Sequence, residues 1–177
     1  MPDILAEIRA WQGKPKALNE RLTAMLVEDD RLVPAFILAL QNGNDREKGV
    51  CLEVLEAATR ERPAPVAPHL PFIIGFINCP APKARLESSR VVANLAAKYP
   101  DEAARAVPAL LKNTTDEGTV VRWSAAFALG AILKYNEKQR KALLEKIAAI
   151  LKKEENNGVR NVYLKAVKAV EKKRPPA

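Results

Sequence analysis

Few side chains in this sequence are of the kinds that make or break bonds. His69 is the only histidine and stands between Pro68 and the Leu70-Pro71 pair at the start of a helical pattern, where the residue caps or lies at the surface more often than it catalyses. Cys51 and Cys79 are the only cysteines, each among apolar neighbours, so neither a disulfide framework nor a thiolate metal site can be assembled from them. With no second histidine and no carboxylates at coordination spacing, zinc or iron would lack ligands. Gly13, Gly43, Gly49, Gly75, Gly118, Gly130 and Gly158 are scattered rather than gathered into a phosphate-cradling loop. Ser88, Ser89 and Ser124 have no histidine base at helical spacing, and a triad would require His69 to approach from elsewhere. No catalytic residue, metal or cofactor is expected. The remaining chemistry is that of recognition. Trp123 and Phe127 are one helical turn apart, Lys134 continues their line, and Lys165, Lys168 and Lys172 form a face of like charges. Such lysines repel one another unless something anionic comes to them. Exposed aromatics beside cations are the usual composition of an interaction hot spot. Together with Arg90, these six residues are the expected partner-binding set.

The elements that position them must come from a packed core. Of 177 residues, 48% are apolar and 28% charged, which excludes disorder and leaves room for one domain or one run of small repeats. The longest apolar runs, 33–40 and 70–77, are far shorter than the ~20 residues needed to span a membrane. Met1 leads into a charged amphipathic stretch rather than a secretory signal, so a soluble, cytoplasmic protein is expected, without membrane insertion. The net charge of +8 is localised: residues 1–133 hold 16 basic and 16 acidic side chains, whereas residues 134–177 hold 13 basic and five acidic ones. A neutral body with a basic end suits an acidic partner, whether nucleic acid, an anionic membrane surface or an acidic protein segment. It also suits a solubilising cap on an exposed end.

Self-similarity organises the chain. Val33-Pro34-Ala35-Phe36-Ile37, Leu70-Pro71-Phe72-Ile73-Ile74 and Val107-Pro108-Ala109-Leu110-Leu111 share a pattern whose prolines recur every 37 residues. Pro63 and Pro100 keep the same step, as do Lys48, Arg85 and Arg122. One step beyond Pro108 lies Glu145, where the proline is absent and the apolar frame persists, and the basic position follows at Arg160, one residue late. Each unit reads as two helices. The first (30–41, 66–77, 101–112 and 137–153) carries its proline in an early turn, where a missing amide costs least. The second starts after Asn44-Asp45, Pro80-Ala81-Pro82, Asp116-Glu117-Gly118 or Asn157-Gly158, all turn or cap signals. Strand patterns are nearly absent. Ile4, Leu5, Ile8 and Trp11, then Leu18, Leu22, Met25 and Leu26, form two further amphipathic patterns ahead of the repeats.

The period, the proline, and the run Val121-Arg122-Trp123-Ser124-Ala125-Ala126-Phe127-Ala128-Leu129 resemble the HEAT repeat family over residues 30–173. The likeness is strongest in the third unit and has decayed to Glu47-Lys48-Gly49 in the first. The resemblance implies an all-α fold: a right-handed, armadillo-like α-solenoid of about four helix pairs (29–63, 64–100, 101–136 and 137–174) behind N-terminal capping helices in residues 1–28, together one domain. Such repeats stack because none can bury its apolar face alone. The family pattern also places an aspartate shortly before the Val-Arg pair. Asp45 and Asp116 fill that place, whereas the second unit has Pro80 and Pro82 and so departs from an intra-repeat Asp-to-Arg ladder.

Dividing the second helices at 100° per residue separates core from surface. Val121, Ala125, Ala128, Leu129 and Ile132 face inward, as do Cys51, Val54, Leu55 and Ala58, then Ser88, Val91, Val92 and Leu95, and finally Val159, Tyr163, Ala166, Val167 and Val170. The opposite faces carry Glu53, Glu56 and Arg60, then Leu86, Arg90, Ala93 and Ala97, then Trp123, Phe127, Gly130 and Lys134, and last Asn161, Lys165, Lys168 and Lys172. By the family resemblance these faces line a concave groove that grips a ligand. Trp123 has two places open to it, the groove or the contact with a neighbouring repeat. The expected function is a non-enzymatic scaffold for an acidic or extended protein segment. The alternative is a nucleic-acid binder. The repeats, the basic end and Trp123 resemble those of alkylpurine DNA glycosylases, but Phe127 stands where those enzymes would need an acid.

Overall fold

The structure, a computed structural model, describes residues 1–172. Residues 173 and 174, which the repeat pattern assigns to the last unit, lie outside the described residues. Those described form helices and turns with no strand among them: α1 (Ile4–Ala10), α2 (Pro15–Glu28), α3 (Val33–Asn42), α4 (Asp45–Glu61), α5 (Leu70–Ile74), α6 (Pro82–Leu95), α7 (Pro100–Ala104), α8 (Val107–Asn113), α9 (Thr119–Tyr135), α10 (Glu137–Leu151) and α11 (Asn157–Glu171). The fold is an all-α solenoid. Among the described residues no helix is long and apolar enough to cross a membrane.

The recurrent proline decides how each unit begins. Pro34, Pro71 and Pro108 occupy the second position of α3, α5 and α8. Each lacks an amide, and its ring excludes a helical carbonyl four residues earlier. The upstream turn is therefore a separate piece: a 3-10 turn at Asp30–Leu32, another at Ala67–His69, and the short helix α7. The single first helices expected at 30–41, 66–77 and 101–112 are thus each broken at the proline. Where Glu145 replaces it, α10 runs unbroken for 15 residues.

The second helices start at side-chain caps where the sequence offers them. Asn44 accepts from the Glu47 amide while the Glu47 carboxylate accepts from the Asn44 amide, a reciprocal box at the head of α4. Asn156 accepts from the Val159 amide at the head of α11. These helices then lie side by side: α4 packs on α6, α6 on α9, and α9 on α11, and α2 extends the row by packing on α4. The first helices of the units form the other layer, and the core lies between. Phe36, Leu40, Leu55, Leu70, Leu110 and Leu129 are fully buried, each contributing roughly 1.5–3 kcal/mol relative to exposure. The inward residues assigned to α4, α6 and α9 are all buried, whereas Ala166 and Val167 of α11 are half-buried.

Three arginine pairs tie consecutive segments of the solenoid together. Arg9 binds Glu47 at 2.8 Å, Arg85 binds Asp116 at 2.6 Å, and Arg122 binds Glu154 at 2.8 Å. Arg160 donates instead to the carbonyls of Leu151 and Glu154. The aspartate of the third unit, Asp116, is thus paired to Arg85 of the unit before it, and Arg122 reaches on to Glu154 of the unit after it. The Asp116 carboxyl is held below the usual range by the Gly118 amide and by Arg85. Burial works against the charge of Glu154, but Arg122 and the amides of Asn156 and Glu155 outweigh it and hold that carboxyl low as well.

Candidate binding groove

The repeat register lines up three columns of side chains across the row of second helices. One runs Gly49, Leu86, Trp123, Asn161; the next runs Glu53, Arg90, Phe127, Lys165; the third runs Arg60, Ala97, Lys134, Lys172. The groove therefore passes from acidic through aromatic to basic.

At its acidic end the charges are consumed internally. Between α2 and α4 lies a depression of about 830 Å³ bordered by Glu20, Glu53, Glu56, Arg60, Lys83 and Arg90. Glu53 accepts from both Asn19 and Lys83. Gly49 makes room for this, since a Cβ there would meet the Lys83 stem at 3.1 Å. Glu56, expected on the groove face, is instead buried in the seam between α4 and α6, bonded to Arg60 at 2.7 Å and to Arg90 at 3.2 Å. Arg90 also binds Glu87 at 3.0 Å. Burial pushes the Glu87 carboxyl above its ordinary range, with Arg90 opposing. Ala93 is buried in the same way. Arg90 thus stands in the groove wall with its charge committed to two buried carboxylates.

The middle is apolar. The Trp123 and Phe127 rings stack with centroids 5.2 Å apart and planes 8° from parallel. Phe127 is exposed, whereas Trp123 is half-buried and rests partly on the core. Trp123 thus spans the two places that its helical angle left open. Its other side borders a notch of about 380 Å³ between α6 and α9, completed by Leu86, Arg90, Thr119 and Val120. Val120 is 59% exposed, unusually open for a valine. Val120 was not singled out from sequence, because it closes the notch with Leu86 from a different helix and no single-helix window contains both. Gly130, expected on the outer face, is buried: a Cβ there would meet that of Ala166 at 3.0 Å, so the glycine sets the close approach of α9 and α11.

The basic end is different from the acidic one. Among the described residues, Lys134, Lys165, Lys168 and Lys172 make no ion pair. Lys134 lies 4.9 Å from the Tyr135 ring centroid, a weak cation–π contact that leaves its charge available. Lys165 and Lys172 continue the groove columns. Lys168 occupies the register of Gly130 and so lies on the flank of α11 away from α9 among the described residues, beside exposed Leu164. The structure therefore brings Trp123, Phe127, Lys134, Lys165 and Lys172 to one surface, sets Arg90 in its wall and puts Lys168 at its edge. His69 lies at a 3-10 turn in the other layer, and no group of three or more metal-ligating side chains occurs among the described residues.

No protein-family model and no curated protein matches the chain. Solved structures do. An engineered protein superposes with a TM-score of 0.67 at 16% identity, over 97% of this chain and 85% of the other. A designed armadillo repeat protein in complex with the peptide (KR)4 superposes with a TM-score of 0.63 at 15% identity, over 89% and 84% respectively. The fold is thus an armadillo-like helical repeat.

Proposed function

We propose that this chain is a non-enzymatic scaffold of HEAT-type units that binds an acidic, extended protein segment in its groove. Residues 29–174 would act as one domain behind the helices of residues 1–28. The observation that carries the reading is the asymmetry of pairing: carboxylates of the acidic half are met by their own arginines, lysines and asparagines, while Lys134, Lys165 and Lys172 make no ion pair among the described residues and share a face with exposed aromatic surface. Charged groups held without internal partners beside apolar surface suit a ligand that supplies both carboxylates and an anchor. The armadillo protein that this chain resembles holds the peptide (KR)4; here the unpaired charges call for a ligand of the opposite sign. The free thiols of Cys51 and Cys79 agree with a cytoplasmic setting.

The test pairs a melting curve with a titration against a glutamate-rich peptide. Trp123→Ala should weaken binding by about 2 kcal/mol or more, as loss of a hot-spot aromatic does, with a smaller loss of stability than Leu129→Ala because the ring rests only partly on the core. Reversing Lys134 and Lys165 to Glu should slow association and flatten its salt dependence. A Trp123→Ala variant that unfolds as readily as Leu129→Ala, for which about 2–5 kcal/mol is expected, would make Trp123 a core residue and reject the groove. Duplex DNA binding with a steep salt slope would favour the nucleic-acid alternative.

A further inference from the structure

The groove is not uniformly receptive, and this inference rests on the reading of it as a site for an acidic segment. Its apolar opening is the notch between α6 and α9, where Leu86, Val120 and one face of Trp123 meet with almost no polar surface between them. Its volume of about 380 Å³ is near the small end of ligand sites, which run roughly 300–1,000 Å³. Thr119 and Val120 lie in the first turn of α9, so the notch opens at the rim of the groove. Arg90 forms its remaining wall with a guanidinium already bound to Glu56 and Glu87. That arginine contributes its alkyl stem to the notch without offering a free charge there. An acidic side chain would be poorly received, because Glu87 and Glu56 stand behind the arginine. An apolar one would be well received.

The unpaired cations are displaced from the notch by a measurable step. Adjacent packed helices lie about 8–10 Å apart. The notch is between α6 and α9, so the axis of α11 is roughly one and a half spacings away, about 12–15 Å. An extended chain rises about 3.3 Å per residue and covers that distance in about four residues. We infer that the notch receives one large apolar side chain of the bound segment, and that the first carboxylate of the segment lies about four residues from that anchor, where Lys165 meets it; Lys172, about two helical turns further along α11, is left for acids beyond it. The groove thereby reads a spacing as well as a charge: an apolar anchor, a short spacer, then acids. The stacked ring of Phe127 underlies the spacer.

The experiment uses synthetic peptides that carry one leucine and a run of glutamates, joined by glycine–serine spacers of increasing length in either chain direction. Binding is followed by tryptophan fluorescence. Trp11, the second tryptophan, donates its indole N–H to the Lys14 carbonyl near the opposite end of the molecule, so a peptide-dependent blue shift reports Trp123, and Trp123→Phe should abolish it. The expected result is tightest binding when about three residues separate the leucine from the first glutamate. Replacing the leucine by glycine should weaken the best peptide by about ten- to a hundredfold, the usual range for burying one such side chain. Val120→Ser, at an exposed position, should remove that preference and leave the melting temperature in place. Affinity that ignores both spacer and leucine while still falling with salt overturns the notch and leaves the acidic-segment reading standing. Failure of every peptide to bind at low salt overturns both. A single-stranded oligonucleotide of matched charge that binds as tightly as the best peptide overturns a protein segment as the occupant.

Discussion

Glu87 shows how single residues set the electrostatics of this surface. It is 3% exposed and its carboxylate is met by Arg90, a cation shared with the equally buried Glu56. Glu56 has Arg60 as well, whereas Glu87 has only its share of Arg90, and burial outweighs that share and raises the Glu87 carboxyl above its ordinary value. A carboxyl whose folded pKa is raised binds more protons folded than unfolded, so its contribution to stability falls as pH rises through that window. Glu87→Gln should therefore hold or raise the melting temperature at pH 7, since the amide oxygen still accepts from Arg90. The difference from wild type should vanish as pH drops through the carboxylate range. Melting temperatures across that range check this, and a Gln variant less stable than wild type at neutral pH would show that the charge of Glu87 is needed. Asp116 and Glu154 work in the opposite sense. Their depressed carboxyls stabilise the fold above the unfolded carboxylate range, and that stabilisation is lost as acid titrates the pairs with Arg85 and Arg122.

At the scale of elements, one residue per unit separates two forms of first helix. Three units carry proline and begin with a broken turn, whereas α10 carries Glu145 and is continuous. Glu145→Pro should impose the break on α10, at a cost of about 3 kcal/mol or more because the position is then interior to an established helix. Helical ellipticity and a denaturation curve read it directly, and an unchanged midpoint would mean that the break is set by the tertiary frame and not by proline. The 37-residue period, the helix pairs and the inward stripes of α4, α6 and α9 could be read from residue spacing because they depend on a helix repeating every 3.6 residues. Gly130, Glu56 and Ala93 could not. A 3.6-residue period locates the centre of a buried arc but not its width, and a second helix in the row is covered by the other layer and by a neighbour on each flank. Glu56 and Gly130 lie on such flanks. The notch escaped for a related reason: Leu86 and Val120 come from different helices, and their meeting depends on how closely α6 and α9 pack. The unpaired lysines, by contrast, were legible, because nothing acidic shares their face.

At the scale of the whole molecule, the row of second helices behaves as a one-dimensional stack in which each member is held by its neighbours. α9 has neighbours on both flanks and buries nine residues, among them Ala125, Leu129 and Ile132. Among the described residues α11 is packed in the row only on its α9 flank and buries only Val159, Tyr163 and Val170, while α10 buries Leu143 and Ile147. Local opening costs least where the fewest apolar contacts must be broken, so α10 and α11 should open together before the central helices do. Hydrogen exchange should show the α11 amides exchanging well ahead of those of α9 under native conditions. This matters for binding because Lys165 and Lys172 ride on α11, while the apolar notch lies between α6 and α9. A segment anchored in the notch and paired to those lysines would bridge the steady part of the stack to its loosest helix. A saturating glutamate-rich peptide should then slow exchange in α11 by more than in α4, which it does not reach. If α9 and α11 exchange as one unit in the free protein, the end of the solenoid is as firmly held as its middle. Equal protection of α4 and α11 on binding would place the ligand elsewhere along the groove.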